Sequence, residues 1–197
     1  EKEDCYMKVV AINGSPRKGG NTEIMLKKVL ETLEKRDIET KLIQIGGTNI
    51  HGCRGCWACK KLQNRKCAFN DDILNDILED VYTADAIVLG TPSYFSAMTP
   101  EMKAFIDRMG VVALGNGKLL KHKIGAVVVA QRRAGGSAIQ ASIHHMFLMS
   151  EMIIPGSTYW NMGFGKDKGD VLSDEEAMQN MENLGENIYW LLEKISK

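Results

Sequence analysis

Short, nearly continuous apolar runs alternate along the chain with longer stretches whose apolar positions recur every three or four residues. The first run, MKVVAIN at 7–13, predicts a buried strand, and a glycine-rich loop separates it from a helix predicted over 22–35. TKLIQI at 40–45, DAIVLGT at 85–91 and KIGAVVVA at 123–130 predict three more strands, with a weaker fifth near 153–159. Helical periodicity covers 71–84, begins again at Thr99–Pro100, fills 136–152, and runs from the SDEE segment to the end of the chain. Asn70 or Asp71, Thr99 and Ser173 are the expected caps. Ser173 forms a capping box with Glu176, and Pro100 suits a first helical position.

Strands apolar on both faces, each followed by a helix, predict a parallel sheet covered on both sides. The expected fold is therefore a doubly wound, three-layer α/β/α domain with a five-stranded parallel sheet. Its ligands belong at the carboxyl ends of the strands. A chain of 197 residues suits one such domain over 1–197, with one long irregular insertion at 46–70.

Charge narrows the partners. Lys+Arg and Asp+Glu number 25 each, so no global field draws in nucleic acid or an anionic membrane. The sequence shows no signal peptide pattern and no apolar run long enough for a bilayer, which predicts a cytoplasmic protein. In that compartment the five cysteines read as metal ligands or redox groups rather than a disulfide framework.

The loop after the first strand, NGSPRKGGNTE at 13–23, stands where an α/β fold binds phosphate. It lacks the Lys–Ser/Thr pair of a P-loop and the G-x-G-x-x-G of a dinucleotide site. It still suits a phosphate monoester: Ser15 and Thr22 offer hydroxyls, Arg17 a charged fork, Asn21 an amide, and the next helix its N-terminal N–H groups. The bland alternative is a tight glycine turn carrying a surface arginine.

GSPRKGGNT resembles the phosphate loop of the flavodoxin-like NAD(P)H-dependent FMN reductases, and GTPSYFSAMTPEMKAFIDR at 90–108 resembles that family's segment against the flavin ring. Within the family, the compact cysteine motif ahead of Asp71–Asp72 is similar to that of the iron–sulfur flavoproteins. The resemblance implies FMN at the switch point of a flavodoxin-like sheet. Pro92, Ser93, Tyr94, Phe95 and Ser96 would stand along the ring after the third strand, and Arg132, Gly135 and Gly136 after the fourth. It also implies a homodimer or homotetramer in which flavin and cluster of neighbouring subunits approach each other, with ferredoxin or NAD(P)H as electron donor.

Cys53, Cys56, Cys59 and Cys67 follow C-x2-C-x2-C-x7-C. Three cysteines two residues apart wrap one turn of chain round a single object, as an iron–sulfur cluster requires. Structural zinc usually takes two C-x2-C knuckles across a long gap. A 4Fe–4S cluster is the expectation, with zinc or free thiols as alternatives, and Cys5 is a bystander. The sequence thus points to an FMN-dependent oxidoreductase with a cluster. An FMN or quinone reductase without one, and a flavodoxin-like electron carrier, are the rivals. No catalytic side chain is expected, because the flavin carries the chemistry.

Overall fold

In each central strand the buried residues divide by position, odd ones facing one side of the sheet and even ones the other. On β1 (Lys8–Asn13), Val10 and Ile12 join one core while Val9 and Ala11 join a second. On β3 (Ala86–Pro92), Ile87 and Leu89 face the first core, and Ala86 and Val88 the second. That two-residue period with apolar residues on both faces is the reason the strands read as continuous apolar runs. The computed structural model describes residues 7–195; Cys5 lies outside them.

With β2 (Glu39–Gln44), β4 (Ile124–Gln131) and β5 (Met162–Phe164), these strands form one sheet in the order β2-β1-β3-β4-β5, every pair parallel. The first core is covered by α3 (Leu74–Thr83), α4 (Pro100–Gly115) and α5 (Gly136–Met149); the second by α1 (Asn21–Glu34) and α6 (Glu175–Ile195). The order reverses between β1 and β3, which opens a crevice at their carboxyl ends. The expected flavodoxin-like, five-stranded α/β/α architecture is the observed one.

Four local expectations are corrected. The insertion contains a short helix, α2 (Ala58–Leu62), packed on α4 where Gly115 passes close to Lys60. The fifth strand lies at 162–164 rather than 153–159. Ile153 makes only an isolated bridge to Ile124, and Asn180 on α6 then binds the N–H of Tyr159 and the carbonyls of Tyr159 and Trp160. Those backbone groups are thereby removed from strand pairing. The α6 cap is Asp174 rather than Ser173, which lies in a 3-10 turn (Asp170–Ser173). One Asp174 oxygen takes the N–H of Ala177 and the other that of Phe164, so a single carboxylate closes the helix and the end of β5. At α3, neither Asn70 nor Asp71 caps; Asp72 accepts from Leu74. Thr99 does cap α4, with Pro100 at its first position.

No described helix is long and apolar enough to cross a membrane.

Candidate functional site

The loop from β1 to α1 is shaped by neighbours from three strands. Asn13 accepts the N–H of Ser15 and donates to Gln44 on β2, and Gln44 in turn donates to the carbonyls of Ser15 and Gly46. Gly14 donates to Gly90 on β3, while the Thr99 hydroxyl donates to the carbonyl of Gly14. Gly46 lies so near that a Cβ there would meet the Ser15 carbonyl carbon at 2.2 Å. α1 begins at Gly20 without a side-chain cap, so its first N–H groups are left for a ligand.

These elements bound a cavity of about 320 Å³, lined by Ser15, Arg17, Asn21 and Thr22 from the first loop and Pro92, Ser93 and Tyr94 after β3. Arg132 reaches it after β4. Eight residues singled out from the sequence thus meet in one place. Ala130, Gln131, Gly165, Lys166 and Lys168 complete the wall and were not foreseen. The two lysines belong to the loop after β5, whose basic residues gave no signal because the fifth strand was expected elsewhere. With Arg17 and Arg132 they bring four cations to the cavity.

Asn21 lines the cavity and is also tied to the β5 side of the site. It donates to the carbonyl of Asp167 and accepts from Gly169 and Val171, tying the β5 loop across the start of α1. Arg17 donates to the carbonyl of Lys166. Phe95 and Ser96 lie outside the cavity. They form the centre of a two-residue turn, with φ of 50° and 61°, closed by paired hydrogen bonds between Tyr94 and Ala97. Phe95 projects fully into solvent rather than walling the cavity. The N–H groups of Ser93 and Tyr94 are spent on Ala130 and Ala97. Gly135 and Gly136 are also outside it: Gly135 packs on Ser93 and Ser96, and Gly136 donates to Gln131 against Met162.

The cysteines come together in a second place. Cys53, Cys56, Cys59 and Cys67 line one small cavity of about 20 Å³ with Trp57, Phe69, Arg108, Val111 and Val112. Trp57 and Gly55 have φ of 57° and 62°, and these left-handed residues curl the chain between successive cysteines. Cys59 is buried at the start of α2, Cys53 and Cys56 are exposed, and Cys67 is half-buried. Burial, reinforced by the neighbouring Cys67 and Cys56 thiols, pushes the Cys59 thiol above its usual range. No three of these sulfurs lie within 4.8 Å of one another; among the described residues only His51, Asp71 and Asp72 form such a trio of potential ligand atoms. Asp72 in that trio is already bonded to Arg108.

Arg108 is 2 % exposed and ion-paired with the wholly buried Asp72. Its guanidinium also donates to the carbonyls of His51, at 3.2 Å, and Phe69, at 3.0 Å. Burial opposes its charge, but the Asp72 and Cys67 contacts outweigh burial and hold its pKa above the usual value. For Asp72, burial likewise opposes ionisation, yet the His51 N–H and Arg108 keep its carboxyl below the ordinary range.

The chain matches the NADPH-dependent FMN reductase family over residues 7–167. An iron–sulfur flavoprotein of Methanocaldococcus jannaschii is 33% identical over 198 residues, covering 97% of this chain and 100% of the relative. Another, from Archaeoglobus fulgidus, is 34% identical over 193 residues, covering 92% and 94%. Among solved structures, a flavodoxin from the domain Archaea superposes with a TM-score of 0.62 at 17% identity, over 97% of this chain and 100% of that one. That likeness concerns the fold. On the family match and these relatives together, the chain belongs to the NADPH-dependent FMN reductase family and, within it, to the iron–sulfur flavoproteins.

Proposed function

We propose that this FMN-dependent oxidoreductase binds FMN in the cavity above β1 and β3 and carries a 4Fe–4S cluster on Cys53, Cys56, Cys59 and Cys67, exchanging electrons between the two. The observation that carries the proposal is the convergence of all four cysteines on one cavity, although Cys67 follows the end of α2 and Cys53 and Cys56 precede its start. Three cysteines at two-residue gaps round one cavity suit a single multi-iron body better than the paired knuckles of a structural zinc site. FMN supplies two-electron chemistry when bound, and the cluster a single-electron relay.

The chain's own contribution is position and charge. Ser15, Thr22, the open N-terminus of α1 and the cations Arg17, Lys166 and Lys168 suit a phosphate dianion. Pro92, Ser93 and Tyr94 suit the ring, and Arg132 adds positive charge to the same cavity. Phe95 and Ser96 belong to the rim, with N–H groups not spent within the turn. Gly135 and Gly136 act by letting the β4 loop pack closely behind it. Further parts of the proposal are a homodimer or homotetramer, ferredoxin or NAD(P)H as donor, and a cytoplasmic location.

Protein purified without oxygen tests this directly. Flavin near one per chain with iron and sulfide each at about four is the expected composition. Zinc near one with no sulfide would replace the cluster by a zinc site. Flavin alone would leave an FMN or quinone reductase, and neither cofactor would sink the reading.

Asn21→Ala tests the tie between the β5 loop and the cavity. It removes three hydrogen bonds to the β5 loop, each worth about 1 kcal/mol. Part of that loss falls on the placement of Lys166 and Lys168, so FMN should bind roughly tenfold more weakly. Titration of apoprotein by quenching of flavin fluorescence reads the change; affinity equal to wild type would remove the β5 loop from the site.

A further inference from the structure

The cluster proposal leaves one buried charge without a task. Arg108 arrives on α4, whose N-terminal end begins at Thr99 beside the phosphate loop. At the far side of the insertion its guanidinium meets His51, two residues before the first motif cysteine, and Phe69, two residues after the last. Asp72 completes the set and itself accepts the His51 N–H at 2.9 Å. One planar group thus clasps the chain where it enters and where it leaves the cysteine motif. Its fixed fork allows this, whereas a lysine ammonium offers no such geometry.

The electrostatics are asymmetric. Arg108 forms part of the wall around the four cysteines, and Asp72 does not. The cation therefore stands nearer to whatever the thiolates hold than its counter-charge does. In a buried setting such a difference is poorly screened. The guanidinium is also permanently charged, so the bias persists at every working pH.

We propose that Arg108 is the positioning residue of the cysteine cavity: it clasps both ends of the motif and, through its buried charge, raises the reduction potential of the cluster. This rests on the cluster reading above. Reduction adds one negative charge to the cluster, and the adjacent guanidinium stabilises that added charge more than the oxidised form.

The test uses whole protein loaded with FMN and cluster, with the cluster's midpoint potential followed by EPR. Arg108→Met removes the charge at similar length and should shift the reduction equilibrium at least tenfold toward the oxidised form, about 59 mV for one electron. Asp72→Asn keeps the cation and weakens its partner, so its shift should run the other way. Hydrogen exchange across 47–70 in the apoprotein reads the clasp separately. Both Arg108→Lys and Arg108→Met should exchange at least tenfold faster there than wild type, while only Arg108→Met loses the charge.

Unchanged potentials in iron-loaded Arg108→Met and Asp72→Asn overturn the electrostatic role, and shifts of the same sign do so too. If Arg108→Met fails to fold, Asp72→Asn alone decides that role, and wild-type exchange in Arg108→Lys overturns the clasp. Absence of iron from the wild type overturns the cluster reading itself. That result is distinct from a cluster that assembles normally and ignores Arg108.

Discussion

Cys59→Ser protein, purified without oxygen, is expected to keep its FMN and lose its iron. Cys59 is the buried member of the four cysteines, part of the core that includes Val112 and Ala113 of α4. Serine is nearly the same size, so the fold and the distant flavin cavity should survive the exchange. The hydroxyl is a far poorer iron ligand than a thiolate, and three remaining cysteines do not complete the set. Iron and sulfide should fall from about four per chain toward zero, and the broad absorption beneath the flavin bands should vanish. Iron retained in full would mean that another group holds the cluster, and the cavity assignment would fail.

The second large effect is expected from Gly46→Ala. The added Cβ would stand 2.2 Å from the Ser15 carbonyl carbon and 2.4 Å from the Gly14 oxygen, both backbone atoms that no rotamer change can move aside. The phosphate loop has to shift, at a cost of about 1–3 kcal/mol. Since that loop lines the proposed FMN cavity through Ser15 and Arg17, FMN affinity should fall by roughly ten- to a hundredfold. Gly52→Ala is the matched control in the same insertion, with nothing within 4 Å of its Cβ position. A thermal melt and an FMN titration on the pair read both consequences. Equal affinity in Gly46→Ala and wild type would show that the close approach of the insertion does not shape the phosphate loop.

The two substitutions probe opposite ends of one device. The insertion leaves β2 pressed against the phosphate loop at Gly46 and returns to α3 through the Arg108 clasp at Phe69 and Asp72. α4 spans the same two places, from the Thr99 hydroxyl on Gly14 to Arg108 beside the cysteines. A single helix between the first loop and the cysteine cavity gives each a fixed position relative to the other.

The first four strands, the helices other than α2 and the spacing of Cys53, Cys56, Cys59 and Cys67 were legible in the amino-acid sequence alone. They depend on periodicity and turn chemistry acting over a few residues, and such patterns survive in one dimension. That Ser15, Arg17, Thr22, Pro92, Ser93 and Tyr94 would meet in one cavity was legible for the same reason: a strand's carboxyl end is a predictable place. What only the tertiary structure decided were the partners. Asn21 accepts from Gly169, 148 residues away, and so ties the β5 loop to the start of α1. Asn180 drew the backbone of 159–160 out of strand pairing, β5 formed at 162–164 instead, and Lys166 and Lys168 after it line the cavity with Arg17 and Arg132. Arg108 read as one residue of a helix until folding set it against Asp72, 36 positions earlier. A side-chain amide or guanidinium satisfies its hydrogen bonds with whatever polar group the fold brings within about 3 Å, and local sequence carries no record of that choice.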